Sequence, residues 1–508
     1  MSTLLDPTLT SEPTHEVNPA TLTALQDRRL VLVSNREPYS VRVNADNVTL
    51  VKNAGGLVSA LDPVLQSVNG LWVCWEGLVP NAQTPANEPT LGQLSDDPTS
   101  KLPYSFASVP LSEEEINHYY YGYANTRIWP LFHYFTDKCN FFEEKDWPAY
   151  QHANEKFAQV VVDETTDTDL IWVHDYHLFL VPQLIREKAA QRNVGFFCHI
   201  PFPHVEIFRL LPSRNTLLKG LLGSDLIGFH TKAYVDHFLQ CVETLLPPEE
   251  AKVDWRRNQV ELPGGRRVQV GAFPISIDAK GIEAEAAKPA FKKRATEVKK
   301  AFNTRYLGVG VDRLDYSKGI LERLETIRVF FEKYPAYLKQ LSFVQIAAPT
   351  RTEVPMYAEL KRSVEEAVGR INGQFSADGW VPIHYYYRSL PLDEIIPLYM
   401  AADFALVNPL RDGMNLVCKE YCMARYDNQG ALLLSELTGA VTELKEAFIV
   451  NPYHLEATAS AIDEALQLTP AQQTERMKPM RDYLRKHDIH FWVQSFLEEF
   501  VHVVNHGS

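Results

Sequence analysis

Arg313 and Lys318 stand five residues apart in Val311-Asp-Arg-Leu-Asp-Tyr-Ser-Lys-Gly319, directly after an apolar run of strand length. Two cations so spaced in a loop can clamp a leaving diphosphate without a metal. The same residues also read as a surface loop in which Arg313 pairs with Asp312 or Asp315. A second run, Asn408-Pro-Leu-Arg-Asp-Gly-Met-Asn-Leu-Val417, takes an apolar strand through a Gly-containing turn into good helix formers. Helix-start amides at Met414, Asn415, Leu416 and Val417 would offer an anion site. Glu420, about one turn in, could accept two hydrogen bonds from a ribose cis-diol, and Asp412 could bind sugar hydroxyls. The other reading makes Asp412 a helix cap and Glu420 a solvated helix charge. Arg351, at the end of Phe343-Val-Gln-Ile-Ala, is a candidate for a substrate phosphate.

The amino half offers Arg36, Gly55-Gly56, Trp75, Tyr120, Trp129, Asp175 and His199. Asn53-Ala-Gly-Gly56 before an apolar helix is a turn that a phosphate could approach closely, but it is not G-x-G-x-x-G, which weakens a nicotinamide reading. The aromatics could stack on sugar faces or simply fill a core. His174, His177 and His199 sit at strand ends with few carboxylates nearby, and H-E-x-x-H is absent, so no metal site is expected. The six cysteines (74, 139, 198, 241, 418 and 422) are scattered in a long chain. Cys418 and Cys422 lack a partner pair of zinc-like spacing, and all six read as free thiols.

Strand-like runs must hold these residues in place. Residues 29–33, 170–173, 194–198 and 226–229 each end in a polar loop, as do 306–311, 341–346, 404–407 and 431–434. Helical stretches lie between them, including 181–191, 212–222, 321–333, 355–368 and 416–425. Apolar strands alternating with helices predict parallel sheets covered on both faces. There are two such sets in series, and ligands of open α/β sheets sit beyond the carboxyl ends of the strands, here in an interdomain cleft. The boundary is placed near Phe273-Pro274-Ile275, before an Ala-, Lys- and Glu-rich stretch (278–300), and 471–504 reads as helical with one or two breaks.

Fifty basic against 64 acidic residues leave a net charge of −14, which argues against a nucleic-acid partner. A hydrophobic content of 45% with 22% charged residues is ordinary for a globular chain of two to four domains. No run of about 18 uncharged apolar residues predicts a membrane span. The first twenty residues have no basic or apolar region of a signal peptide and read as a disordered tail. A cytoplasmic protein follows. No repeat or low-complexity segment is present.

Taken in order, the strings VLVSNR, NAGGL, GLWVCWEG, YYYGYANTRIWPLFHY, IWVHDYHL, GFFCHIPFP, DLIGFHT, VDRLDYSKG, QIAAPTR, PLRDGMNLVCKEY and LLLSELTGA resemble the trehalose-6-phosphate synthases, retaining glucosyltransferases of GT-B architecture. The resemblance spans about residues 29 to 500. It implies an α/β chain with a tail (1–28), an acceptor-binding Rossmann-like domain (29–275), a nucleotide-sugar-binding one (276–480) and a carboxyl-terminal helix returning to the first (481–508). It implies that Gly56, Arg313, Lys318, Asp412, Met414 to Val417 and Glu420 hold UDP-glucose. Arg36, Trp75, Tyr120, Trp129, Asp175 and Arg351 would hold glucose 6-phosphate, with the two arginines on its phosphate. His199 would contact the transferred glucose, and Asp412, His199, Arg313 and Lys318 would form the catalytic set. No cofactor or metal is implied, and a homo-oligomer, dimer or tetramer, stays open.

Three features depart from the family pattern: the tail, a longer loop at 37–52, and Glu76 where a small residue is expected. Asp163-Glu-Thr-Thr-Asp167 reads as a solvated loop, not as the D-x-D nucleophile of a fused phosphatase. Rival readings are a sister transferase acting on glycerol 3-phosphate, a non-catalytic sensor of UDP-glucose or sugar phosphate, and a pyridoxal-dependent phosphorylase of the same architecture.

Overall fold

A computed structural model describes residues 25, 28–44, 47–52, 56–75, 91–96, 102 and 104–506. The expected tail, the Asn53–Gly55 part of the Gly-rich turn and Glu76 lie outside the described residues, apart from Leu25 and Arg28 of the tail.

The apolar runs form two sheets. The first has nine strands in the spatial order 105–108, 71–75, 30–36, 170–174, 193–197, 226–229, 267–272, 259–261 and 252–254. Neighbours are parallel up to Arg267–Ala272, and the last two strands run antiparallel. The second has six parallel strands in the order 383–386, 341–348, 306–313, 404–407, 431–435 and 448–450. In both, the earliest strand lies inside the sheet, and the chain winds first to one side of it and then to the other. Each sheet therefore has a topological switch point, a natural ligand crevice. One lies between the ends of Leu30–Arg36 and Leu170–His174, the other between the ends of Tyr306–Arg313 and Phe404–Val407.

Sheet pairing in the first set ends at Ala272 and resumes in the second at Tyr306. Helices Ala279–Ala287 and Pro289–Phe302 fill the Ala-, Lys- and Glu-rich interval. The carboxyl-terminal stretch forms Pro470–Lys486 and Ile489–His506, the former started by a capping box of Thr469 and Gln472. The Ile489 amide donates to the Ile277 carbonyl at 2.9 Å, so both chain crossings between the sheets meet there. The last helix then lies on the first sheet. Trp492, Phe496 and Phe500, one helical turn apart, are fully buried, and the Phe496 ring stacks on Trp172 with centroids 4.2 Å apart. Gly228 makes room for this: a Cβ there would meet Phe197 at 2.7 Å and Phe496 at 2.9 Å.

Three local expectations need correction, and a fourth segment, unread in the sequence, is irregular. Residues 37–52 are no plain loop: Tyr39–Asn44 and Asn47–Lys52 pair as an antiparallel hairpin, and the alternation of polar and apolar residue types in their sequence is a strand signature. Asp163 and Glu164 close the helix Asp146–Glu164, and Asp167 in the following loop ion-pairs with Arg192. Asn117–Ile128 is π-helical, with a kink at Gly122, and leads into Trp129–Phe132. The helix expected to offer Met414 to Val417 as its first turn begins at Val417, because Asn415 adopts φ 73° and breaks the helical path. Among the described residues no helix is long and apolar enough to cross a membrane, and the six cysteines are free.

Candidate active site

The carboxyl ends of the two sheets face each other. At Gly413 a Cβ would lie 2.5 Å from the His199 carbonyl, so only glycine lets the turn after Phe404–Val407 come this close to the first sheet. The Tyr234 hydroxyl donates to the Asp412 carbonyl across the same gap at 3.2 Å.

The second sheet supplies a tightly cross-linked polar half. Lys318, in a short turn after Tyr306–Arg313, places Nζ 2.6 Å from Asp412 Oδ2. Burial pushes the Asp412 carboxyl up, but the Lys318 ammonium and the Asn415 amide (3.0 Å) outweigh it and hold it below the usual carboxylate range. Asp412 is thus not the helix cap: Asn415 Oδ1 takes the Cys418 amide at 3.1 Å. Among the described residues no protein acceptor takes the amides of Met414, Asn415, Leu416 or Val417, so four donors remain in a turn and helix start. Glu420 is half-buried and accepts from the Tyr399 hydroxyl at 3.2 Å, and burial raises its pKa; it is no solvated helix charge.

Arg313 is exposed, and its guanidinium lies 5.5 Å from the Trp129 ring centroid. Neither aspartate beside it is its partner: Asp312 binds Arg323 and Asp315 binds Arg351.

Beneath this half lies Arg323, fully buried and not singled out by the sequence. It donates to Asp312 (2.5 Å), Asn408 (2.7 Å), Gln345 (3.0 Å) and the Lys318 carbonyl (3.5 Å), tying both loops of the switch point to one guanidinium. Lys419, also fully buried, pairs with Glu443 at 2.6 Å and donates to the Ile275 carbonyl at 2.8 Å, joining the Val417–Ala424 helix to the crossover segment.

The first sheet supplies an aromatic half. The Arg36 guanidinium lies 5.3 Å from the Trp75 ring, Trp75 meets Tyr120 at 5.9 Å, and Tyr120 stacks on His177 at 5.5 Å. Trp129, on the helical stretch after Tyr120, is buried, and its indole N–H has no protein partner among the described residues. Arg351 reaches across from the second sheet and lies 4.0 Å over the Trp129 ring. Its fork donates to Asp315 (2.8 Å), Tyr357 (2.6 Å) and Tyr176 (3.1 Å). Asp175, at φ 73°, accepts from the His199 amide at 3.1 Å. Burial raises its pKa to about 6, moderated by backbone N–H donors and by Arg313 and Arg351.

His199 Nε2 lies 3.1 Å from His174 Nδ1, and His230 Nε2 lies 3.1 Å from the His199 carbonyl. Burial keeps these rings neutral, His174 and His230 titrating near 3 and 4. His133 donates from Nδ1 to the Trp129 carbonyl at 2.7 Å and sits within the field of Lys318 and Asp412, titrating near 4 because it is buried. Gly56 opens the helix Gly56–Val68.

All the predicted site residues thus come from strand ends or the segments after them, with Tyr120 and Trp129 on one helical stretch. Arg313, Lys318, Arg351, Asp412 and the 414–420 turn cluster with Trp129, Asp175 and His199. Arg36, Trp75 and Tyr120 form an adjoining stack. His133, Arg323, Tyr176 and Tyr357 were missed, and His174 and Asp315 were noted only as a strand-end histidine and as a partner for Arg313. The one available signal was that most of them lie inside the same polar strings.

Two such sheets with opposed switch points, one carrying a cation-and-amide cradle and the other aromatics, define a nucleotide-sugar-dependent glycosyltransferase of GT-B architecture. The family model for glycosyltransferase family 20 matches residues 28–502, and the chain belongs to that family.

It is 40% identical over 93% of its length to a bifunctional trehalose-6-phosphate synthase/phosphatase of Thermoproteus tenax, of which it spans 63%. It is 39% identical to the UDP-forming alpha,alpha-trehalose-phosphate synthase of Candida albicans, covering 93% of this chain and 97% of that one. Among solved structures, a Burkholderia xenovorans synthase in complex with glucose-6-phosphate superposes with a TM-score of 0.82, at 32% identity over 93% of this chain and 99% of that one. An E. coli structure bound with UDP-2-fluoro glucose gives 0.81, at 34% identity over 93% and 99%.

Proposed function

We propose that this enzyme transfers glucose from UDP-glucose to the anomeric hydroxyl of glucose 6-phosphate with retention, giving trehalose 6-phosphate and UDP. The observation that carries the reading is the Lys318–Asp412 pair set beside four amides with no protein acceptor among the described residues, in one cleft with the Trp129–Arg351 stack.

In this reading residues 276–480 hold the donor and 29–275 the acceptor, and 481–508 return to the first part. Arg313, Lys318 and the amides of Met414 to Val417 take the diphosphate, Glu420 the ribose, and Gly56 approaches the donor. Charge builds on the departing diphosphate as the glucosyl carbon becomes oxocarbenium-like. Fixed donors aimed at that charge are worth about 10²–10³ in rate each. Asp412 holds Lys318 and orients the glucose, with His199 on the same sugar. The acceptor attacks from the leaving-group face, and the leaving phosphate helps take its proton. Arg36 and Arg351 hold the acceptor phosphate, Trp75, Tyr120 and Trp129 its ring, and Asp175 a hydroxyl. The cationic clamp does the work a metal would do, so none is required. Six free thiols fit a reducing cytoplasm.

The test is UDP release from UDP-glucose with glucose 6-phosphate, glycerol 3-phosphate or no acceptor. Release dependent on glucose 6-phosphate, with a disaccharide phosphate by mass, is the expected result. Release only with glycerol 3-phosphate overturns the acceptor assignments. Ligand-induced thermal stabilisation without release under any condition identifies a sensor instead.

A further inference from the structure

His199 carries one proton on its ring, and which nitrogen holds it decides whether the residue donates to the sugar or accepts from it. We propose that His174 fixes the tautomer of His199, so that His199 presents an Nδ1–H to the transferred sugar. The proposal rests on the placement of His199 against that sugar given above.

The two residues end or follow neighbouring parallel strands, Leu170–His174 and Asn193–Phe197. His174 Nδ1 and His199 Nε2 are 3.1 Å apart. Two neutral imidazoles at that distance share a single proton, so one nitrogen donates and the other accepts. His174 Nε2 is buried and has no partner among the described residues. If His174 accepted at Nδ1, its own proton would sit on Nε2 as a buried N–H with no acceptor. Folded proteins rarely leave such a donor orphaned, whereas an under-used acceptor is tolerated more often. His174 therefore donates, His199 Nε2 accepts, and the proton of His199 lies on Nδ1.

The adjacent histidine follows the same rule. His230 Nε2 faces the His199 carbonyl at 3.1 Å, and a carbonyl only accepts, so the His230 proton is on Nε2. Its Nδ1 is then a bare nitrogen, buried without a partner.

The backbone of His199 is pinned on both sides, its amide by Asp175 and its carbonyl by His230. His174 supplies the remaining restraint, on the ring. Nδ1 of His199 takes no protein partner among the described residues, so it is the nitrogen left for a sugar oxygen.

The experiment is a two-bond ¹H–¹⁵N spectrum of the ¹⁵N-histidine-labelled enzyme, with His199 assigned by the signals lost in H199Q, read beside kinetics. His199 is expected to be protonated on Nδ1 in the unaltered enzyme and in H174N, whose side-chain amide takes the place of the Nδ1 donor. In H174A the proton moves to Nε2, and kcat falls about 10- to 100-fold, the loss of one buried hydrogen bond and of the orientation it gives. The KM for glucose 6-phosphate does not change.

An Nε2 proton on His199 in the unaltered enzyme, or full kcat in H174A, overturns the proposal. Should H174A fail to fold, the spectra of the unaltered enzyme and H174N decide alone. H199A separates the two claims. If it keeps full kcat, His199 does not serve the sugar at all. If it loses kcat while H174A does not, only the role of His174 is wrong.

Discussion

The two halves of the cleft are built differently. The half proposed to hold the donor is cross-linked within the second sheet: Lys318 to Asp412, Asp412 to Asn415, and both loops to Arg323. The half proposed to hold the acceptor is shared between the sheets. Its Trp129, Tyr176 and Asp175 belong to the first sheet, while Arg351, held by Asp315 and Tyr357, arrives from the second. A cradle of this kind is fixed within one sheet, whereas the pocket proposed for the acceptor needs both sheets in register.

The largest effect expected is on the donor side. D412N removes the anion that holds Lys318, and kcat should fall about 10²- to 10³-fold with little change in the KM for glucose 6-phosphate. Full turnover in this variant would break the picture of a fixed donor half.

R351M comes next. It should cut kcat/KM for glucose 6-phosphate about 10- to 100-fold, leave the UDP-glucose KM nearly unchanged, and lower Tm, because Asp315 is left buried without its cation. An equal loss toward both substrates would erase the contrast between the halves.

A pH profile sharpens it further. Asp175 titrates near 6, so kcat/KM for glucose 6-phosphate should fall below that pH as the carboxylate gains a proton and can no longer accept in both directions. The second ionisation of the sugar phosphate is also about 6, so the limb assigned to Asp175 is the part that D175N abolishes. The buried histidines, neutral down to about 4, contribute nothing to it.

The smallest expected effect is from a chelator. EDTA should change the rate less than about twofold, because the clamp of Arg313 and Lys318 meets the diphosphate charge. Loss of activity restored by Mg²⁺ would reassign that role.

The clustering of Lys318 and Asp412 with the 414–420 turn was largely legible because these residues lie in two short strings, each following an apolar strand. What those strings concealed were partners far away in the chain. Lys318 is 94 residues from Asp412, and Arg351 is 36 from Asp315 and 175 from Tyr176. Spacing alone therefore offered Asp312 and Asp315 as partners for Arg313, when each is held by another arginine. Arg323 sits inside an ordinary amphipathic helix, Ile320–Lys333, where nothing local marks it as buried. The hairpin at 39–52 could have been read from its period of two. The π-helical stretch at 117–128 could not, since no propensity pattern distinguishes it from an α-helix.

The helix Ile489–His506 also bears on how the chain acquires its shape. Its aromatic row closes one face of the first sheet, where Phe496 packs on Trp172 and Phe197, so the contacts completing that core join residues about 300 positions apart. During synthesis the amino-terminal sheet emerges with the surface around Trp172 and Phe197 uncovered and stays so until the second sheet has been made. Such long-range closure makes for slow folding. A nascent chain of this protein should thus present a sticky, half-finished sheet to chaperones for most of its translation, and shortening it by one helix should impair the first sheet more than the neighbouring second.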